Sequence, residues 1–174
     1  MKTFIALLLL GFNAQASNEI ALQYMKINQS LFNTIKFEAD AIGVEYSYIH
    51  TSGFGLKLGL ATGAETEDKY NSGYTNKIKY MYSVSAMYRF NITDNLSVEA
   101  VVGINDYKTI WKLNDIEPDW SGTSDSGWAY AMNVNYKVAD YKLTFGYADL
   151  YRKHKKGFGD EPTKAFKFGI TYVI

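Results

Sequence analysis

The sequence predicts an all-β fold, an eight-stranded antiparallel up-and-down barrel, and three observations support this prediction. Apolar residues alternate with polar or small residues along most of the chain, which is the period-two pattern of strands that have one apolar face. Short and long connections alternate between these segments. Aromatic residues are abundant for a chain of 174 residues, with 15 Tyr, 10 Phe and 3 Trp, and many of them share one alternating face.

Eight segments carry the alternation. In chain order, their apolar positions span Ile20–Tyr24, Ile42–Tyr48, Phe54–Leu60, Ile78–Phe90, Leu96–Ile104, Trp128–Val138, Tyr141–Tyr147 and Phe166–Ile174. Three connections are short enough for tight turns: His50–Gly53, Thr93–Asn95 and Ala139–Asp140. The other four are longer and polar: Asn28–Lys36, Gly63–Asn76, Asp106–Ser126 and Asp149–Thr163. This regular order predicts a closed barrel with its long loops at one rim, whereas a soluble sandwich would lack it.

Residues 1–16, MKTFIALLLLGFNAQA, have the form of a secretory signal peptide. Lys2 gives a positive start, Phe4–Phe12 is an apolar run, and Ala14-Gln15-Ala16 has the small-x-small pattern of a cleavage site. The run is too short for a membrane-spanning helix, which needs about 20 residues. We therefore expect residues 1–16 to be removed and residues 17–174 to form one domain.

The charge balance and the absence of Cys exclude several functions. Lys and Arg number 18 and Asp and Glu also number 18, so the chain lacks the basic face that a nucleic-acid partner requires. Without Cys there are no disulfides, thiolate metal sites or Cys nucleophiles. The acidic clusters Glu65–Asp68 and Asp115–Asp119 lack the glycine and the bidentate Glu of a Ca²⁺ loop. We expect no metal and no cofactor.

The character of the two faces indicates whether the barrel lies in water or in a membrane. The polar face is rich in Gly, Ala and Ser with few charges, which suits a narrow interior better than a water-facing surface. The apolar face carries Tyr and Trp near strand ends, where the rings meet acyl chains and the polar atoms meet head groups. We therefore predict a transmembrane β-barrel with two aromatic girdles formed by Tyr24, Tyr48, Tyr80, Tyr88, Trp128, Tyr136, Tyr141, Tyr147 and Tyr172.

Residues 17–174 resemble the small outer-membrane barrels of the OmpA transmembrane-domain and OmpX/Ail type. The last strand carries the most specific likeness, because such barrels end in alternating apolar residues that the barrel-assembly machinery reads. Phe166, Phe168, Ile170 and Tyr172 fit this assembly signal, while Ile174 stands where the family usually has Phe. The resemblance implies insertion in the outer membrane of a Gram-negative bacterium, contact with lipid and lipopolysaccharide, tight turns that face the periplasm and long loops that face outside.

Charges on the polar face are expected to pair inside the barrel, because an unpaired charge in a low-dielectric lumen is costly. Glu45 and Lys57 are close across the first tight turn, and Arg89 and Glu99 are near-diagonal neighbours across the second. We expect these pairs to plug the lumen together with Gln23, Asn133 and Lys167. The alternative is a gate or a narrow pore lined by the same charges, but side chains almost fill an eight-stranded lumen.

Three further lysines belong to the polar face by the same alternation. Lys79 lies in the fourth predicted strand. Lys137 and Lys142 face each other across the third tight turn as like charges, so we expect both to be exposed at the rim.

The sequence gives little support to catalysis. Some barrels of this shape modify lipid A, and they need a His beside a Ser or an acid at the outer rim. His50 has Ser52 nearby but lies at the opposite rim, where turn chemistry explains Ser52 and Gly53. His154 lies in the basic run Arg152–Lys156 without an acid to orient it. We expect this run either to contact lipopolysaccharide phosphates or to be an ordinary solvated loop.

The third long connection is unusually apolar, with Trp111, Ile116, Pro118 and Trp120. Exposed aromatic residues there would be anchors for a partner. The alternative is a hairpin that extends a strand above the membrane, which we expect for Trp111, while both readings stay open for Trp120.

The sequence therefore predicts a non-catalytic, monomeric outer-membrane barrel that serves envelope integrity or surface adhesion, with a host or surface ligand bound by its loops. One alternative is a narrow porin-like channel for ions or small apolar solutes, and a second is a lipid A-modifying barrel enzyme. A soluble lipocalin-type barrel is disfavoured, because the first strand lacks the expected Gly-x-Trp signal.

Overall fold

The computed structural model describes residues 16–31, 35–67, 73–118, 121, 124–153 and 160–174, and within them the chain consists of antiparallel β-strands joined by turns. In chain order the strands are β1 Ala16–Leu31, β2 Ile35–His50, β3 Phe54–Gly63, β4 Glu65–Glu67, β5 Tyr74–Asn91, β6 Leu96–Leu113, β7 Ser124–Val138, β8 Tyr141–Lys153 and β9 Asp160–Val173. Among these residues no helix has the length and hydropathy of a membrane span. Of the predicted signal peptide, only Ala16 lies within the described residues.

The sheet closes into a barrel because both of its edges find a partner. Consecutive barrel strands pair with each other, and β1 pairs with β9 over ten residues of each, from Glu19 opposite Val173 to Asn28 opposite Lys164. β4 continues β3 beyond a break at Ala64, and both pair with β5. Eight strands therefore surround the barrel, which confirms the predicted eight-stranded antiparallel fold and leaves no open edge.

The two ends of the barrel differ, and we name them by their connections. The turn end contains the three tight turns at residues 51–53, 92–95 and 139–140, as the sequence predicts. The hairpin end contains the four long connections, whose predicted boundaries are wrong because the strands run far into them. β1 reaches Leu31, for example, and β6 reaches Leu113. Alternation continues there with apolar residues turned inward, and burial of those residues stabilises the extended pairing.

A β-bulge in β5 corrects the predicted placement of two residues. Ile78 pairs with Thr109, and Tyr80 pairs with the adjacent Lys108, so Lys79 is the extra residue. Such an insertion reverses the inward and outward alternation of the strand. Ile78 therefore points inward and is almost fully buried, whereas Lys79 is exposed on the outer surface.

The outer surface is an apolar band with charged residues beyond it at the hairpin end. Leu22 and Ile42, on adjacent strands, are 65% and 62% exposed. Four residues further towards the hairpin end on each strand, Lys26 Nζ and Glu38 Oε2 form an ion pair and are 3.1 Å apart. A band of exposed apolar side chains bounded by charge is the outer surface of a barrel that crosses a membrane.

The interior has two layers of different chemistry. The charged layer, nearer the turn end, contains Glu19, Glu45, Lys57, Arg89, Glu99, Asn133, Lys142 and Lys167. The apolar layer, nearer the hairpin end, contains Met25, Ile27, Phe37, Ile78, Met81, Tyr107, Trp111 and Leu150. In the apolar layer, Phe37 meets Trp111 edge to face with ring centroids 4.8 Å apart. The two layers follow one another along the interior of the barrel.

Candidate functional site

All eight strands of the barrel wall contribute to the charged layer. Three carboxylates come from β1, β2 and β6, namely Glu19, Glu45 and Glu99. Four cations come from β3, β5, β8 and β9, namely Lys57, Arg89, Lys142 and Lys167. β7 contributes the amide of Asn133. The layer therefore exists as a whole only in the closed barrel.

Lys57 connects two of the carboxylates. Its Nζ lies 2.6 Å from Glu45 Oε1 and 2.9 Å from Glu99 Oε2. All three side chains are at least nine-tenths buried. Lys57 lies opposite Ser47 in the β2–β3 register, so its contact with Glu45 is diagonal across the hairpin. The structure thus brings together the first pair that the sequence suggests.

Arg89 connects Glu99 to the third carboxylate, Glu19. It donates to both oxygens of Glu19, from Nη1 at 2.6 Å and from Nη2 at 2.8 Å, which is the bidentate geometry that Arg favours with a carboxylate. Its Nε also donates to Glu99 Oε1 at 2.9 Å. Arg89 and Glu99 lie directly opposite each other in the β5–β6 register, which corrects the predicted near-diagonal placement.

Two polar groups extend this network. Lys142 forms an ion pair with Glu19, and Asn133 Nδ2 donates to Glu99 Oε2 at 3.0 Å. The result is one continuous chain of contacts from Lys142 through Glu19, Arg89, Glu99 and Lys57 to Glu45. Gly146 leaves room for the Asn133 side chain, because a Cβ atom at position 146 would collide with Asn133 Oδ1.

Sequence reasoning missed two members of the network, Glu19 and Lys142. Glu19 precedes the clear alternation of the first strand, yet it shares its inward parity with Ala21 and Gln23. Lys142 was expected at the exposed rim, but it is buried and turned towards Glu19, while its register partner Lys137 is exposed. The two lysines are not equivalent because Lys142 has a carboxylate within reach and Lys137 remains in solvent.

Lys167 is the predicted lumen residue that the structure does not bring into an ion pair. Among the described residues, no carboxylate lies within salt-bridge distance of its ammonium group. Lys167 and Glu45 border the same internal cavity, whose volume is about 30 Å³. Gln23, also predicted in the lumen, points inward and is 7% exposed.

The predicted girdle residues all lie on the outer surface, at two levels. Tyr48, Tyr88, Tyr136, Tyr141 and Tyr172 lie near the turn end, and Tyr24, Tyr80, Trp128 and Tyr147 lie nearer the hairpin end. Neighbouring rings contact each other, as in Tyr141 and Tyr172, whose centroids are 5.5 Å apart. Contact with head groups remains a prediction.

The predicted assembly signal lies in β9 and the residue after it. Phe166, Phe168, Ile170 and Tyr172 face outward, between 40% and 56% exposed, and Ile174 is 65% exposed. Phe168 and Tyr172 lie opposite Tyr24 and Ile20 of β1, at the seam that closes the barrel. Recognition by the assembly machinery remains a prediction.

The residues considered for catalysis do not form a site in the described part of the chain. His50 Nδ1 lies 2.9 Å from Ser52 Oγ and also accepts from the Ser52 backbone N–H at 3.2 Å, which is a local turn contact on an exposed surface. His154, Trp120, Asp68, Asp119 and Lys155–Lys156 lie outside the described residues. Trp111 lies in β6 and is 1% exposed, so it belongs to an extended hairpin as predicted and is not an exposed anchor.

The ion pair of Lys112 and Glu65 at the hairpin end has a clear electrostatic effect. Lys112 Nζ lies 3.1 Å from Glu65 Oε1, and Thr75 Oγ1 donates to the same oxygen at 3.3 Å. The hydrogen bond from Lys112 stabilises the ionised carboxylate and lowers the pKa of Glu65 below its ordinary value of 4.5.

Residues 4–173 match a family model described as the outer membrane protein β-barrel domain. The chain belongs to this family. The predicted resemblance to small outer-membrane barrels is thereby confirmed, and the location of the protein is the outer membrane. A search of curated protein sequences finds no match.

The fold is similar to solved structures of small outer-membrane barrels. Ail, the attachment invasion locus protein of Yersinia pestis, in complex with the heparin analogue sucrose octasulfate, has a TM-score of 0.64 and 16% identity over 92% of this chain and 99% of that chain. Neisserial surface protein A has a TM-score of 0.67 and 12% identity over 91% of this chain and 97% of that chain. The N-terminal barrel domain of Pseudomonas aeruginosa OprF has a TM-score of 0.59 and 12% identity over 91% of this chain and 100% of that chain. At these identities the similarity shows the fold alone.

Proposed function

We propose that this protein is a non-catalytic outer-membrane barrel with a plugged lumen, and that its hairpins act at the cell surface in adhesion. The observation that carries the plug is the continuous network of ion pairs across the lumen, which links Glu19, Glu45 and Glu99 to three cations. Buried charges of this kind separate only at high cost, because each would be left without a partner in a low dielectric.

The apolar layer supports the same conclusion. Tyr107, Trp111 and Phe37 are each at most 2% exposed, and they fill the interior on the hairpin side of the charged layer. An ion that crossed the barrel would therefore meet the paired charges in a lumen that these aromatic side chains have already narrowed. A narrowed lumen that is closed by paired charges favours a plug over a pore.

A narrow channel is the second candidate, and one observation favours it. An open cavity of about 780 Å³ lies at the turn end, and Arg89 and Lys142 form part of its wall. Water therefore reaches the charged layer from this side. Planar-bilayer recording of the intact protein separates the two functions: the plug predicts no open-channel current at moderate voltage, and steady open-channel current would favour the channel.

Surface contact is proposed from the charge of the outer hairpins. The sequence of the fourth hairpin has five basic residues against three acidic ones, namely Arg152, Lys153, Lys155, Lys156 and Lys164 against Asp149, Asp160 and Glu161. The third hairpin has the opposite balance, with Asp106, Asp115, Glu117, Asp119 and Asp125 against Lys108 and Lys112. A basic surface of this kind attracts polyanions, and similarity to Ail, which was solved with a heparin analogue, supports a sulfated polysaccharide as the probe.

The test uses cells that display the intact protein and surfaces coated with heparin. Replacing Lys153, Lys155 and Lys156 together by Gln should reduce cell attachment several-fold, because the basic excess of the fourth hairpin is lost. The control, Lys108→Gln with Lys112→Gln in the acidic third hairpin, should leave attachment near the wild-type level. Equal attachment by the wild type and the triple variant would contradict the adhesion proposal.

Envelope contacts complete the proposal. Lys26, Lys79 and Lys164 lie exposed on the outer surface just beyond the apolar band, where they would reach the phosphates of lipopolysaccharide. The barrel would act as a monomer inserted by the assembly machinery. Lipid A modification has weaker support, because His50, the histidine within the described residues, contacts Ser52 in a turn at the opposite end from the hairpins.

A further inference from the structure

The charged layer contains one more cation than carboxylate. Lys57, Arg89 and Lys142 each contact at least one of Glu19, Glu45 and Glu99, as described above. Lys167 is the fourth cation, and within the described residues it has no ion pair and no hydrogen bond. All three carboxylates are already engaged by other cations, so the layer offers Lys167 no counter-charge of its own.

An internal cavity borders Lys167 on the side of the apolar layer. Its volume is about 30 Å³, and its wall includes Ser83, Ser85, Asn105 and Asn133. A cavity needs roughly 10–15 Å³ to admit one water molecule, so this one has room for a species of that size or somewhat larger.

Asn105 gives a second and independent indication of a ligand. Its side chain is 2% exposed and lines the cavity, and neither its Nδ2 nor its Oδ1 has a hydrogen-bond partner among the described residues. A buried amide normally satisfies both groups, because an unmet donor or acceptor loses the hydrogen bond that it would make to water in the unfolded chain. An amide N–H and an ammonium group that border one small cavity are both donors that can bind a small anion.

We propose that this cavity binds one monatomic monovalent anion of chloride size, held by the Lys167 ammonium group and the Asn105 Nδ2–H. One such anion makes the charge of the layer zero, with four cations balanced by three carboxylates and the anion. Glu45 also borders the cavity, but its carboxylate is held by Lys57 at 2.6 Å, which neutralises its repulsion of an anion. The site is therefore internal and structural, and it is separate from the surface contact proposed for the hairpins.

Crystallography with bromide tests the proposal directly on the wild-type protein. Crystals grown with bromide in place of chloride should show one anomalous scattering peak inside the cavity, within hydrogen-bond distance of Lys167 Nζ and Asn105 Nδ2. Density in the cavity without a bromide signal would mean that water alone fills it, and this would overturn the proposal.

Thermal unfolding gives a second readout, measured from the heat-dependent loss of the folded gel band. Wild-type protein should unfold at a higher temperature in sodium chloride than in sodium gluconate of equal ionic strength, by about 3 °C, since gluconate is too large for the cavity. Lys167→Met should abolish this difference, and the exposed rim variant Lys137→Met should retain it. A wild type that does not distinguish the two salts, or a Lys167→Met variant that still does, would overturn the proposal. If Lys167→Met does not fold, the bromide experiment decides.

Discussion

The charged layer and the apolar layer lie in the same barrel but are held together by different kinds of contact. In the charged layer, few side chains touch, but most contacts join opposite full charges, as between Lys57 and Glu45. In the apolar layer, many weak contacts surround residues such as Trp111 and Ile27, both 1% exposed. Loss of one charge leaves its partners uncompensated, whereas loss of one apolar side chain leaves a void. We therefore expect the charged layer to control permeation and the apolar layer to contribute mainly stability.

The largest effect is expected from Glu99→Ala, which removes the carboxylate shared by Lys57, Arg89 and Asn133. Because two cations lose a buried partner, the free energy of unfolding should fall by about 3–5 kcal/mol. The conductance of the barrel in planar bilayers should rise at the same time. Glu65→Ala makes the same change at the exposed hairpin end and should leave the conductance unaltered. A large native conductance that Glu99→Ala leaves unchanged would contradict the plug.

A smaller effect is expected from Trp111→Ala in the apolar layer. The substitution leaves a cavity beside Phe37, and removal of a buried aromatic ring costs about 3 kcal/mol. Denaturant unfolding in detergent should show this loss, while conductance should stay at the wild-type level because the charged layer is intact. Trp128→Ala is the matched control on the outer surface, where Trp128 is 57% exposed. If Trp111→Ala raised conductance as much as Glu99→Ala, the division of roles would be wrong.

The smallest effect is expected outside both layers, at the ion pair of Lys112 and Glu65. An exposed pair contributes less than about 1 kcal/mol, so Lys112→Gln should hardly change stability. The pKa of Glu65, which is below 4.5 in the wild type, should rise towards that value in the variant, and NMR titration measures it. Because the folded pKa is lowered, the pair stabilises the fold above pH 4.5 and the contribution disappears as the pH falls through the folded pKa. An unchanged Glu65 titration in Lys112→Gln would show that Lys112 is not the cause.

Sequence alternation predicts most of the barrel because period two is a local property. The three tight turns and the outward positions of Leu22, Leu60 and Phe168 follow from it directly. The bulge at Lys79 does not follow from alternation, because a single inserted residue leaves the composition of both faces nearly unchanged. Pairing with β6 decides where the bulge lies. The lengths of the hairpins were underestimated for a related reason: above the apolar band the outward residues become polar, so the segments look like loops.

The charged layer was only half predictable. The contacts between Glu45 and Lys57 and between Arg89 and Glu99 span hairpins, so sequence distance from a turn suggests them. Glu19 is 70 positions from Arg89 and 123 positions from Lys142 along the chain. These contacts cross the lumen, and only the closed barrel brings the side chains together. Identical residue types at the rim also behave differently, because Lys142 reaches Glu19 and Lys137 does not.

The lumen-crossing contacts have a consequence for the order in which the barrel forms. The isolated β2–β3 hairpin and the isolated β5–β6 hairpin each contain one complete ion pair. The contacts of Glu19 with Arg89 and Lys142, and of Lys57 with Glu99, require strands that are not neighbours in any hairpin. A partly assembled sheet therefore exposes unbalanced charges on the face that is destined for the interior, and these charges keep it out of the lipid core. Registration of β9 against β1 joins the last two edges and completes the network in one step, so membrane insertion and charge neutralisation should occur together.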